Sequence, residues 1–196
     1  MILSPHGAHA RPVPLKLYLP EMPAEELVAL LADPHRCVHA YARLLGSGSE
    51  ATEAARRGLS HPDARVRQHC CKLLDHLMDA GSIPALIEAL ADPSPPVRMQ
   101  AAHALACDRC KPDDACRPAP EAVLPSAIAM LAGDPSTHVR AMAAELVGHW
   151  VHTHPSARDA LSRAATRDPS PAVRKKASWY APGGPIYRRT KRSKRM

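Results

Sequence analysis

Residues 92–105 read DPSPPVRMQAAHAL, and the rest of the chain repeats their grammar. Asp92-Pro93 predicts a turn, Ser94 offers a helix N-cap, and Pro95 falls at the first helical position, where its missing N–H costs nothing. Val97, Ala101, Ala102 and Leu105 then stand at i, i+4, i+5 and i+8, one face of a helix. The same pattern starts again at His61 (HPDARVR), Asp134 (DPSTHVR) and Asp168 (DPSPAVR), with a weaker copy at Asp33 (DPHRCVH). The marker valines Val38, Val66, Val97, Val139 and Val173 define five units with periods of 28, 31, 42 and 34 residues, the range of helical repeat arrays.

The grammar resembles the HEAT-repeat family, in particular its short, PBS-lyase-type repeats, over residues 33–177. The resemblance implies an all-α, right-handed α-solenoid of about five antiparallel helix pairs, whose second helices line a concave surface. It also implies a ladder in which the Asp before Pro and the Arg six residues later join successive repeats. Asp92/Arg98, Asp134/Arg140 and Asp168/Arg174 match it. His61 replaces the Asp before Arg67, and His39 replaces the Arg after Asp33, so the match weakens toward the N-terminus.

The expected pairs are 23–32 with 36–46, 50–60 with 64–79, 83–91 with 95–108, 121–132 with 137–152, and 157–166 with 171–179, with Gly46, Gly81 and Gly133 marking helix ends. A single pair cannot bury its apolar stripe, so stacking makes the core. Phenylalanine is absent and aromatics are 3% of the 196 residues, which leaves Leu, Val, Ile, Met and Ala to build that core. Cys70 and Cys71 occupy the slots of Ala101/Ala102 and read as small core residues. The division expected is an extended lead-in at 1–22, the solenoid at 23–180 with an inserted Cys-rich loop at 107–120, and a disordered basic tail at 181–196.

Positions two, six and ten after each marker valine lie opposite the buried stripe and form the expected partner-binding row. They are Gln68, Lys72 and His76, then Met99, His103 and Cys107, then Ala141, Glu145 and His149. The inserted loop adds Cys107-x2-Cys110 and Cys116, with His103 one helical turn before Cys107. Cysteine and histidine at such spacing suit a structural zinc, with His103 or His76 as fourth ligand. A redox-active Cys107–Cys110 pair and unligated thiols stand beside that reading.

The net charge of +7 is carried by the C-terminus: Arg188, Arg189, Lys191, Arg192, Lys194 and Arg195 leave 20 basic against 19 acidic residues elsewhere. With Lys175 and Lys176 they form the expected polyanion-binding element, whose alternative is a solubilising end. No secretory signal or membrane-length apolar run is readable, and the expected location is cytoplasmic.

The resemblance implies binding more than chemistry, so the expected function is a non-enzymatic scaffold for a protein partner. The alternatives are a nucleic-acid-binding or DNA-repair-type HEAT-like protein and a HEAT-like lyase. HEAT-type hydroxylases bind iron through His-Glu pairs, and the sequence has no such dipeptide. Glycosylases of this architecture use an aromatic cleft, for which only Trp150 and Trp179 are available as tryptophans. No nucleotide-binding Gly loop or GxSxG elbow occurs, and no catalytic residue of the lyases can be matched.

Overall fold

The computed structural model describes residues 21–111 and 114–193, so most of the 1–22 lead-in and the C-terminal Lys194 and Arg195 lie outside the described residues. The described residues form eleven α-helices with short 3-10 turns and no strand. They pair as α1 (Ala24–Ala29) with α2 (Cys37–Gly46), α3 (Gly48–Gly58) with α4 (Ala64–His76), and α5 (Ile83–Glu88) with α6 (Pro95–Ala106). The series continues with α7 (Pro120–Gly133) and α8 (Thr137–Gly148), then α9 (Pro155–Arg167) and α10 (Pro171–Tyr180), and α11 (Pro185–Ser193) follows. The second helices pack on one another in sequence, α4 on α6, α6 on α8 and α8 on α10, more closely than the first helices do. Closer spacing on one side curves a stack toward that side, so the second helices are the inner row.

The apolar stripe read from residues 92–105 is the core. Val97, Ala101 and Ala102 are fully buried, as are their counterparts Val66, Cys70, Cys71, Val139, Ala143, Ala144, Val173 and Ala177. Burial pushes both adjacent thiols up, that of Cys71 to about 12, so they serve as small packing groups. The first unit departs from the pattern. Val38 is 70% exposed, and Ala40 and Leu44 fill the buried positions of α2 instead. The weak copy DPHRCVH therefore marks the turn correctly and misplaces the stripe by two residues.

The turn chemistry also differs from the simplest reading. Ser94 holds the N-cap position with an extended backbone, yet its side chain makes no capping bond. Asp92 Oδ1 instead accepts from the Ser94 N–H at 2.7 Å, and Asp134 and Asp168 take the N–H groups of Ser136 and Ser170 in the same way. The outer edge of each carboxylate then faces the preceding unit: Arg67 Nε meets Asp92 at 2.6 Å, Arg98 Nε meets Asp134 at 2.7 Å, and Arg140 Nε meets Asp168 at 2.8 Å. His61 replaces the acid, and its Nδ1 accepts from the Asp63 N–H at 3.0 Å, which preserves the turn. By sequence position His39 and His61 are the two ends of one rung, because each ladder arginine reaches the acid of the following unit. The ladder therefore loses a single rung, and Arg67 is intact.

The tail departs from the expected disorder. Residues 185–193 form α11, linked to α10 through Gly183 at φ +86° and through Gly184, whose Cα approaches the carbonyls ending α10 too closely for a side chain. Tyr187 stacks at 4.4 Å on His152, and His152 Nε2 bonds the Thr190 hydroxyl at 2.8 Å. The reason is amphipathicity: Ile186, Tyr187 and Thr190 share one face, and Arg188, Arg189 and Lys191 take the other and are exposed.

Candidate functional site

The inner row of α4, α6 and α8 carries the residues expected to meet a partner, and the fold treats them unequally. Lys72, His76 and His103 are exposed, and Gln68 and Met99 are half-buried. Lys72, Asp75, His76, Met99, Gln100, His103 and Met142 line one groove of about 290 Å³ across the three helices. Its floor includes the methionines Met99 and Met142, which pack partly against the core, while Lys72, His76 and His103 form a polar rim. Lys72 Nζ also lies 5.0 Å from the centre of the Tyr41 ring, whose hydroxyl donates to the Lys72 carbonyl. Glu145 is engaged by Lys176 at 2.7 Å. Lys176, expected among the polyanion-binding residues, is thereby paired within the protein.

The tenth positions His76, Cys107 and His149 fall at the C-terminal ends of α4, α6 and α8, and the inserted loop folds back over that row. Two features hold it there. The buried Lys111 ammonium donates to the carbonyls of Ala104 and Cys107, satisfying the end of α6. Asp108 then receives Arg117 at 2.8 Å and faces His149 Nδ1 at 3.6 Å. Burial pushes the His149 imidazole down, so His149 belongs to the loop's footing more than to an open surface.

The loop also decides the fate of the three cysteines. Cys116 is buried with its Sγ 3.7 Å from the Met78 carbonyl and joins neither close group of ligand atoms, so the expected three-thiolate set does not assemble among the described residues. The position expected of Cys116 is occupied instead by Asp75 of α4. One oxygen of Asp75, His103 nitrogen and Cys107 Sγ lie within 4.8 Å of one another, and Asp75, His76 and Cys110 form a second such triad. Asp75 is 3% exposed, and its Oδ1 has no hydrogen-bond partner among the described residues. Burial pushes the Asp75 carboxyl up, but His103, with Nε2 at 3.5 Å from Oδ2, together with His76 and the Cys107 thiol outweighs it and leaves the pKa below its usual value. The same hydrogen bond raises the His103 imidazole. Burial, reinforced by the Cys107 thiol, pushes Cys110 up to about 11, the opposite of the depressed thiol that a redox-active CxxC needs. Asp75 escaped the sequence reading because, nine positions after Val66, it falls between the buried stripe and the inner row and belongs to neither by spacing.

A second cleft, of about 310 Å³, was not legible in the sequence. Asp108, Lys111 and Arg117 of the loop form one wall, and His149, Trp150, His152, Tyr180, Ile186 and Thr190 contribute the rest. It exists because the inserted loop and α11 both cover the same end of α8. The residues expected to bind polyanions lie beyond it: Arg188, Arg189 and Lys191 are exposed on α11, and Lys175 is exposed on α10, 6.0 Å from the Trp179 ring. The side chain of Arg192 lies outside the described residues.

Comparison with known proteins agrees with this architecture. No curated protein sequence matches the chain. Among solved structures, the complex of CpcE and CpcF of phycocyanin lyase from Nostoc sp. PCC7120 is similar with a TM-score of 0.66 at 20% identity, covering 80% of this chain and 96% of that one. A designed armadillo repeat protein in complex with the peptide (KR)4 is similar with a TM-score of 0.52 at 16% identity, covering 80% of each chain. An engineered protein from a structural genomics programme gives 0.54 at 21% identity, covering 80% of this chain and 78% of that one. These likenesses are of fold. The profile of HEAT repeats matches residues 24–106 and 124–181, bracketing the inserted loop, and with the ladder and the stacked helix pairs it places the chain in the HEAT-repeat family.

Proposed function

We propose that the protein is a binding scaffold that holds an extended segment of a protein partner along its inner face. The observation that supports this most is the groove across α4, α6 and α8, where Met99 and Met142 give an adaptable apolar floor and Lys72, His76 and His103 give polar contacts at its rim. The ladder keeps successive units in register, so the groove is a preformed surface that costs little to order on binding. Protein complexes of similar folds, CpcE with CpcF and the armadillo repeat with its peptide, support the same use of a solenoid. The test is photo-crosslinking in the native cell from a reactive residue at Gln68 or Gln100 against one at Arg163 on α9. A discrete crosslinked protein from the inner positions alone supports the reading. Equal labelling from Arg163 removes it.

A second reading concerns nucleic acid or another polyanion at α11. Arg188, Arg189 and Lys191 are presented together on an ordered helix, with no acidic residue in it. Such a face binds through counterion release, with affinity falling steeply with salt and without sequence preference.

A further inference from the structure

The groove residues His76 and His103 flank a feature that the scaffold reading does not use. Asp75 is a carboxylate buried to 3% exposure between two helices, and its Oδ1 meets no hydrogen-bond donor among the described residues. A buried carboxylate oxygen left in this state is costly unless an ordered water or a cation completes it, and the donors gathered round Asp75 are those that bind a cation. Two imidazoles and two thiols surround that carboxylate. His103 Nε2 lies 3.5 Å from Asp75 Oδ2, Cys110 Sγ lies 3.8 Å from His76 Nδ1, and both triads that include Asp75 fit within 4.8 Å.

We propose that Asp75, His103, Cys107 and Cys110 hold one zinc ion that clamps the second and third repeats together. Each element delivers its ligand for a separate structural reason. Asp75 sits on the face of α4 that meets α6. His103 and Cys107 stand one turn apart on α6, with Cys107 as its C-cap. Cys110 is returned to the Asp75 carboxylate, on its His76 side, because Lys111 folds down onto the end of α6 at Ala104 and Cys107. His76, beside Cys110, fixes the position of that thiol.

The donor set selects the metal. Two thiolates and an imidazole favour zinc over magnesium or calcium, and a carboxylate completes a four-coordinate shell. Ligand atoms of a tetrahedral zinc site stand about 3.3–3.8 Å apart, so the Asp75, His103 and Cys107 atoms need to contract by about 1.5 Å or less, and Cys110, which shares the other triad with Asp75 and His76, must swing in to join them. Binding releases the two thiol protons to solvent and takes from His103 Nε2 the proton it shares with Asp75, which moves to Nδ1 or, from the imidazolium, to solvent, so that Nε2 and the carboxylate each contribute a lone pair. A shell closed by four protein ligands leaves no place for a reactive water, so the ion is structural. Cys116, sequestered at the Met78 carbonyl, takes no part.

The test uses the full chain, purified without chelator and with a non-thiol reductant, and measures bound metal by mass spectrometry. The expected result is about one zinc per chain. Replacement by cobalt should give the intense visible bands of a tetrahedral site with thiolate-to-metal charge transfer. His103→Gln and Asp75→Asn should each weaken zinc at least about tenfold, while Cys116→Ser keeps it fully. Circular dichroism checks that each variant is folded; His103 is exposed, so its variant keeps the test sound if Asp75→Asn does not fold. A folded chain that takes up no metal from added zinc overturns the proposal. So does a folded Cys116→Ser variant that loses the ion, or a His103→Gln variant that binds as tightly as the parent. None of these outcomes touches the scaffold reading, which is judged by crosslinking.

Discussion

Arg98 grips two repeats at once: its Nε and Nη2 donate to Asp134 Oδ2 and Oδ1 at 2.7 and 2.9 Å, while its Nη1 donates to the Asp92 carbonyl at 2.7 Å. Both charged groups are largely removed from water, with the Arg98 side chain 11% and the Asp134 side chain 5% exposed. Such a bidentate pair fixes register as well as energy, since the planar guanidinium admits the carboxylate in one orientation. Arg174, the last ladder arginine, keeps the carbonyl contacts to Asp168 and Pro169 but meets no carboxylate among the described residues.

That contrast yields a paired test. Arg98→Met leaves Asp134 buried without its partner and should cost about 2–4 kcal/mol in urea denaturation. Arg174→Met removes no ion pair among the described residues and should cost less than about 1 kcal/mol. Equal losses would show that the carbonyl contacts, common to both, carry the stability.

Acid should weaken the stack through the same ladder. In Asp92, Asp134 and Asp168 burial raises the carboxyl pKa, but the paired arginine and a backbone N–H more than offset it, so all three lie below 3.8. Carboxyls depressed on folding contribute stability that is present above the unfolded value and lost as pH falls through the folded one. Stability measured against pH should therefore decline below about pH 4. Arg98→Met should flatten that decline by removing one of the three contributions.

Lys111 anchors the inserted loop. Lys111→Met keeps most of the buried stem but removes the donor to Ala104 and Cys107, and should cost about 1–3 kcal/mol. Limited proteolysis should then cut within 107–120 faster than in the parent protein. An unchanged cleavage rate would mean that Asp108, Arg117 and Cys116 hold the loop alone.

The last helix separates stability from charge. Truncation after Pro182 removes the Tyr187 and Thr190 contacts to His152, and should lower the thermal midpoint by a few degrees, about 2–4 °C per kcal/mol lost. Replacing Arg188, Arg189 and Lys191 with Gln keeps the packed face and should leave the midpoint unchanged. The same replacement should abolish retention on a low-salt heparin column; retention that survives it would place the polyanion contact elsewhere.

Gly148 gives an independent check of how α10 is seated. An added Cβ would collide with the Tyr180 ring, which lines the cleft beneath α11. Gly148→Val should displace Tyr180 and lower the thermal midpoint, in the truncated chain as in the full one, since the clash is with α10.

Periodicity determined the helix pairs and the buried valines of four units, because each is a local consequence of 3.6-residue spacing after an Asp-Pro turn, while the acid-arginine ladder was implied by the resemblance to HEAT repeats. Periodicity placed Cys70 and Cys71 in the core for the same reason. Only the tertiary structure decided the direction of the ladder, since whether Arg98 serves its own Asp92 or the next unit's Asp134 depends on how the repeats stack. The loop and the tail were decided there too: no local period reports that Lys111 folds onto the end of α6, or that α11 finds His152 thirty-eight residues earlier in the chain. Asp75 shows the physical limit most plainly. Spacing assigns it neither to the core stripe nor to the inner row, and only the packing of α4 on α6 brings His103, Cys107 and Cys110 to the carboxylate buried there.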